Sequence, residues 1–364
     1  MFRIYDISKP DEWKAALLKA RLYYLPYQVE YLNLWQINND GNAILFYHEN
    51  DYGAVVYPFL RRKLENLYYI SRELEGDYFD IITPYGYGGP FIISDGNNLH
   101  ENIIKEFCLE FTNYCKDNNI ISEFIRFHPL YENHIYFSKE IEIALKNKVV
   151  YVDLSASKND IWNNYEYNNK KNIKKALKSG IEIIIDNDLD YMDRFIDIYY
   201  TTMNRRKAKK YYYFSNAFFT YIKDNFKEKA ILFLAKKSHE IISVELALYD
   251  NNIIYSFLGG TLEQYFILRP NNLLKHELIL WAKEKGLRYY LIGGGYSLND
   301  GIFNYKKSFS KNGIKEFYVG KKIHNIIKYN ELKEELKKYL FNNYPEIKLE
   351  EIEYFPIYRF SPTD

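Results

Sequence analysis

The sequence predicts an α/β protein with mixed sheets flanked by helices, built as two units in tandem. Three observations predict it. The chain has 364 residues, more than one ordinary core accommodates. Runs of strand and helix character alternate along its whole length. Residues 85–127 and 255–292 follow one plan: strand, Gly-Gly, loop, Asn-Asn-Leu, helix, strand. This echo places the same α/β unit in both halves.

The elements follow in chain order. DEWKAALLK (11–19) opens with acidic residues and reads as a helix. AILFYHE (43–49) and GAVVYPFLRRK (53–63) are β-rich runs separated by NDYG, which predicts a hairpin. FDIITPYGYGGPFI (79–92) reads as one strand closed by Gly and Pro. Residues 99–117 carry Ile103, Phe107, Phe111 and Tyr114 at helical spacing, and SEFIRFHP (122–129) reads as a strand stopped by Pro129. In the second half, 161–180 reads as one helix closed by Gly180, followed by the strand IEIIID (181–186). Helices are expected at 190–204 and 214–226. Residues 229–260 give three strands joined by short polar turns. A helix at 272–286, a strand at 288–294, a short helix at 302–309, a strand at 315–320 and a charged helix at 330–341 complete the reading. The expected boundaries are an N-terminal domain at 1–155, a second domain at 156–330, and a C-terminal helix and tail at 331–364.

Composition excludes several classes. The chain is 47% hydrophobic and 27% charged, a globular balance. No run approaches the roughly 20 apolar residues of a membrane span, and MFRIYDISKPDEW lacks a signal-peptide core. A cytoplasmic protein is expected, with the membrane surface a candidate peripheral contact. Cys108 and Cys115 lie seven apart on one helix face and read as buried thiols. No His or Cys spacing suits a metal. Residues 1–150 hold 15 Lys+Arg against 21 Asp+Glu, net −6, and the remainder holds 34 against 27, net +7. Any polyanion contact is therefore expected in the second half.

The stretch RYYLIGGGYSLNDGIFNYKKSFS (288–310) is the most informative. It matches no P-loop, and Gly293-Gly294-Gly295 is not followed directly by a long helix, as a dinucleotide cradle requires. A strand that stops abruptly and lets the chain cross a cleft fits better, because glycine permits close approach and positive φ. One of Lys306 and Lys307 then faces that cleft. A lysine there can neutralise a phosphate or stabilise a developing oxyanion. Glu245, in ISVELAL, shares a strand face with Ser243 and Ala247 and is a candidate proton acceptor for an amine. Lys171, Lys174, Lys175 and Lys178 share one helix face, and RRKAKK (205–210) adds a second basic cluster. Together they make an anionic ligand credible.

The order of these segments carries a resemblance. GGTLEQYFILRPNNLLKHELILWAKEKG, YYLIGGG, DGIFNYKKSFS and EFYVGKKIHN resemble the C-terminal half of FemAB-like proteins of the GNAT superfamily, alongside BioF2-like acyltransferase domains. NNKKNIKKALKSGIEI and FIDIYYTTMNRRKAKKYYYFS resemble the same domain, and DIITPYGYGGP with FIRFHP resembles its partner. The resemblance reaches to about residue 330. It implies two tandem GNAT-like domains and transfer of an acyl or aminoacyl group to an amine of a peptidoglycan or surface-glycan precursor, nucleotide- or lipid-linked. The implied donor is aminoacyl-tRNA or acyl-CoA, with no tightly bound cofactor, and tRNA is a candidate partner. The family's Phe-Lys-x-x-Phe segment falls on Tyr305–Phe309, which singles out Lys306, with Tyr305 replacing the first Phe. Gly293, Gly294, Gly295, Tyr305, Arg205, Lys171 and Lys174 are the expected substrate-binding residues, and Lys306 and Glu245 the catalytic ones. The usual CoA-binding glycine loop reads LRPNNLL here, without glycine. A non-catalytic glycan- or nucleotide-binding protein of the same fold is the alternative.

Overall fold

The computed structural model describes residues 1–65, 67–70, 76–94, 100–298 and 300–362. The first elements are β1 (Phe2–Asp6), α1 (Pro10–Lys19), α2 (Val29–Ile37), β2 (Asn42–Asn50), β3 (Gly53–Lys63), β4 (Phe79–Ile82), β5 (Phe91–Ile93), α3 (His100–Asp117) and β6 (Ile120–Arg126). There follow β7 (Glu142–Asp153), α4 (Lys158–Asn164), α5 (Tyr167–Lys178), β8 (Ile181–Asp186), α6 (Met192–Arg206), α7 (Asn216–Asn225), β9 (Ala230–Lys237), β10 (Glu240–Tyr249) and β11 (Ile253–Thr261). The last are α8 (Pro270–Glu284), β12 (Tyr289–Gly294), α9 (Gly301–Lys307), β13 (Ile314–Ile323) and α10 (Ile326–Asn343).

The chain divides into two compact units. Unit 1 comprises residues 1–22, 26–146 and 317–364, and unit 2 comprises 23–25 and 147–316. The C-terminal helix and tail, expected to stand apart, lie within unit 1. Their Leu332, Leu336, Leu340 and Tyr358 share a core with Leu64 and Ile121.

In unit 1, β1, β2, β3 and β4 are successive antiparallel neighbours. β4 then pairs in parallel with β6, and β6 pairs antiparallel with the end of β13. Unit 2 repeats this order: β8, β9, β10 and β11 antiparallel, β11 parallel to β12, and β12 antiparallel to β7. The parallel step in each is bridged by a helix, α3 in unit 1 and α8 in unit 2, as a parallel connection requires. The internal echo is therefore a repeat of topology. Its glycines differ in place: Gly259-Gly260 lie inside β11, whereas Gly88-Gly89 lie beyond β4. The first Asn-Asn-Leu, 97–99, lies outside the described residues.

Two expected elements are each split in two, and β1, α2 and β7 lie where no element is expected. Residues 79–92 form β4 and β5 rather than one strand, because Gly86 (φ +98) and Gly89 (φ +86) turn the chain between them. Residues 161–180 form α4 and α5 rather than one helix. Tyr165 and Glu166 are extended, and the Glu166 N–H donates to Ser308 O at 2.9 Å instead of continuing the helix. The Tyr165 ring is thereby buried in the unit 2 core. Gly180 ends α5 with φ +68, as anticipated.

The unit 2 core forms around α8. Leu274, Leu278, Ile279 and Ala282 fall on one helical stripe and pack against Ile173 and Ala176 of α5 and Phe233 of β9. Pro270 starts α8, where a missing N–H costs nothing, and Gly286 (φ +78) follows its end. α6 lies against β11 near Gly260, where an added Cβ would sit 2.7 Å from Thr202 Oγ1 and 2.8 Å from Ile198 O. The thiols of Cys108 and Cys115 are free and buried on α3. Among the described residues no helix is long and apolar enough to cross a membrane.

Candidate active site

β10 alternates its side chains across the sheet. Its Glu245 is only 6% exposed and points toward α8. The ammonium of Lys275, on α8 and 7% exposed, donates to Glu245 Oε1 at 2.6 Å and to Oε2 at 2.7 Å. Ser256 Oγ on β11 and the Tyr290 hydroxyl on β12 each donate to Oε1 at 2.7 Å. Lys275 also donates to Ser256 Oγ and to the Tyr290 oxygen, both at 3.0 Å. Three strands and the crossover helix thus converge on one buried, hydrogen-bonded ion pair. Tyr290 is fully buried, and burial together with the adjacent carboxylate pushes its phenol well above the ordinary range. Gly259 pairs across from Glu245, so no side chain crowds the carboxylate from that position.

Both oxygens of Glu245, the expected proton acceptor for an amine directly or through water, are already met by hydrogen-bond donors. Burial and pairing within the sheet, neither visible in ISVELAL, are the reason.

The triple glycine is a backbone device. The register of β12 against β7 shifts between Leu291 and Gly293, and Gly293 adopts φ +88 there. A Cβ on Gly294 would lie 2.6 Å from Lys148 O, and one on Gly295 would strike the Asp300 carboxylate. Asp300 gathers the following loop. Its Oδ2 accepts from the N–H groups of Tyr296 (2.6 Å) and Ser297 (3.0 Å), and its Oδ1 caps α9 by accepting from Phe303 N at 2.7 Å. The loop returns the chain so that Lys306, in the last turn of α9, donates to Gly294 O at 2.8 Å.

Lys306 is half-buried. Burial first, and then the charge of Lys275, bring its pKa down to about 8, with Glu245 and Asp300 opposing the shift. The Lys306 ammonium thus stands within electrostatic reach of the Glu245–Lys275 pair. Tyr305 donates its hydroxyl to Asn271 O at 3.2 Å, tying α9 to the first turn of α8. A second tie runs through buried amides: Asn272 Nδ2 donates to Asn169 Oδ1 at 2.8 Å, and Asn169 Nδ2 to Ser308 O at 3.1 Å.

The basic candidates lie elsewhere on unit 2. Lys171 and Lys174 are exposed on α5, with the Lys171 ammonium 5.5 Å from the Tyr167 ring centre. Arg205, in the last turn of α6, lies over the Phe266 ring at 4.6 Å. None of the three bonds to Glu245, Lys275 or Lys306. Lys275, Tyr290 and Ser256 escaped the sequence reading. A signal existed for Lys275: it precedes Leu278, Ile279 and Ala282 by three, four and seven residues, which places it on the buried stripe of α8.

Residues 163–307 match the family model of the acetyltransferase (GNAT) domain. This segment is a GNAT acyltransferase domain. It holds Glu245, Ser256, Lys275, Tyr290 and Lys306, so the whole cluster belongs to the acyltransferase unit. The full chain has the tandem GNAT-like fold. FemX superposes with TM-score 0.67 at 13% identity, covering 90% of this chain and 99% of that one. A conserved protein of unknown function from Bacteroides thetaiotaomicron VPI-5482 gives 0.56 at 10% identity over 88% of this chain and 100% of that one. L-PGS from Bacillus licheniformis gives 0.51 at 13% identity, covering 85% and 91%. At these identities the likeness is one of fold. No curated protein matches the chain in sequence.

Proposed function

We propose that this acyltransferase moves an aminoacyl group from an aminoacyl-tRNA to an amine of a cell-envelope precursor, nucleotide- or lipid-linked, on the cytoplasmic side. The observation that carries the reading is the half-buried Lys306 ammonium, held on Gly294 O beside the Glu245–Lys275 pair inside the GNAT domain. In the transfer, the amine nitrogen attacks the ester carbonyl carbon and an oxyanion develops. Collapse breaks the ester bond, and the proton lost by the amine is gained by the departing ribose oxygen. Lys306 meets the oxyanion or a donor phosphate, with Gly293, Gly294, Gly295 and Tyr305 shaping the place where it does so. Glu245 contributes by holding Lys275 and Tyr290. The envelope acceptor is supported by the fold shared with FemX and with L-PGS.

GNAT domains take acyl-CoA as donor. The segment from β11 to α8 suits its pyrophosphate poorly. It forms a 3-10 helix, Glu263–Leu268, followed by Arg269 at φ +62 and Pro270. The N–H groups of Tyr265, Arg269 and Asn272 are spent on Leu262 O, Phe266 O and Arg269 O, and Pro270 has none. The exposed lysines of α5, with Arg205, favour a polyanion instead.

Binding decides between donors. Labelled aminoacyl-tRNA is expected to bind and to be released by raised salt, and acetyl-CoA to bind weakly or not at all. Tight acetyl-CoA binding with no tRNA binding overturns the donor. Binding of a nucleotide-linked amino sugar without any transfer favours the non-catalytic alternative.

A further inference from the structure

We propose that Lys275 is a positioning residue for the transfer: it fixes the Glu245 carboxylate and the Tyr290 hydroxyl, and its charge keeps Glu245 from capturing the Lys306 ammonium. The inference rests on Lys306 acting in the reaction, as set out above.

The geometry carries it. Lys275 makes four hydrogen bonds, to both oxygens of Glu245, to Ser256 Oγ and to the Tyr290 oxygen, all between 2.6 and 3.0 Å. All three donor groups of an ammonium are committed, one of them shared. Such a group is fixed in place and does not reach for substrate. The charged and titratable groups around Lys306 are Lys275 from α8, Glu245 from β10 and Asp300 at the start of α9. Tyr290 and Tyr305 also lie close enough for Glu245 to raise their pKa values. Glu245 is the buried anion among these, and Lys275 is the cation bonded to it. With a neutral side chain in place of Lys275, Lys306 remains as a cation within electrostatic reach of Glu245. The carboxylate then draws Lys306 off Gly294 O and holds it protonated to higher pH. With Lys275 charged, Lys306 stays on the backbone carbonyl, and its pKa near 8 leaves the ammonium free to meet an incoming negative charge.

The test reads Lys306 directly. Acetic anhydride acetylates a lysine only through its neutral amine, so the rate of Lys306 modification against pH, followed by peptide mass spectrometry without substrate, gives its titration midpoint. In the unaltered protein the midpoint is expected near 8. In Lys275→Met it should rise, and modification at pH 7 should slow roughly tenfold for a midpoint one pH unit higher. Lys275→Arg keeps the charge and should leave the midpoint in place. Lys275→Met/Glu245→Gln removes both charges and should return it toward 8. Lys275→Gln serves in place of Lys275→Met if the latter does not fold. A midpoint unchanged or lowered in the neutral variants overturns the proposal, as does an equal rise in Lys275→Arg, which makes packing rather than charge the cause. The alkaline limb of turnover should move with the same variants. If the titration moves and the turnover limb does not, Lys306 has no part in the reaction and the functional reading fails separately.

Discussion

The Lys275 ammonium bridges both oxygens of Glu245, at 2.6 and 2.7 Å, with each side chain no more than 8% exposed. A bidentate pair this deeply buried is costly to assemble and more costly to break, because either partner left alone is an unpaired charge in a low dielectric. The pair sits in the acyltransferase unit, with β11 between β10 and the strand that carries the triple-glycine bulge. That placement puts a pair on which the fold depends beside the proposed reaction site.

Breaking the pair therefore has a non-additive signature. Glu245→Gln and Lys275→Met are each expected to destabilise unit 2 by about 3–5 kcal/mol. The double variant should lose clearly less than the sum. Urea unfolding of the three proteins measures this. Additive losses contradict a paired role.

Replacement of Lys306 by Ala should lower turnover on the order of a hundredfold or more if it meets the oxyanion. The melting temperature should change little, since Lys306 bonds one carbonyl and lies half-exposed. Steady-state product formation with unaltered turnover removes Lys306 from the mechanism.

Acid should weaken unit 2 through His276. Its Nδ1 lies 3.1 Å from the Tyr165 hydroxyl, and burial lowers its pKa from 6.5 to about 4. The unfolded chain binds this proton more readily than the folded one, so stability falls as pH drops from about 6.5 and levels off near 4. The loss is roughly 3 kcal/mol at most. His276→Asn should flatten the slope of unfolding free energy against pH in that window. An unchanged slope assigns the acid sensitivity elsewhere, with His128 in unit 1, lowered to about 3 by burial, the first alternative.

The basic face should register as a salt effect. Replacing Lys171 and Lys174 by Ala is expected to weaken aminoacyl-tRNA binding and to flatten its log–log salt dependence by about 1–2 units. Acetyl-CoA binding should be unaffected. An unchanged salt slope takes α5 out of the donor path.

Much was legible in the sequence for physical reasons. The hairpin of β2 and β3 announces itself by β-rich runs around a turn signal. α8 is marked by its apolar stripe, and α9 by its place after the triple glycine. Local patterning determines these elements, because a helix or hairpin answers to its own few residues. The family resemblance and the choice of Lys306 also came from contiguous residues. The break at Tyr165–Glu166 did not, because the helix is interrupted by a hydrogen bond to Ser308 O, far along the chain. Nor did the meeting of Glu245, Ser256, Lys275 and Tyr290. Each sits in a segment that reads as ordinary strand or helix, and a charge on an amphipathic element is by default solvated. Only the antiparallel β10–β11 pairing together with the parallel β11–α8–β12 crossover folds them onto one another. Local sequence thus determined most of the elements that form. The tertiary structure alone decided which charges face each other in the interior, because that depends on the sheet order, a property of the whole chain.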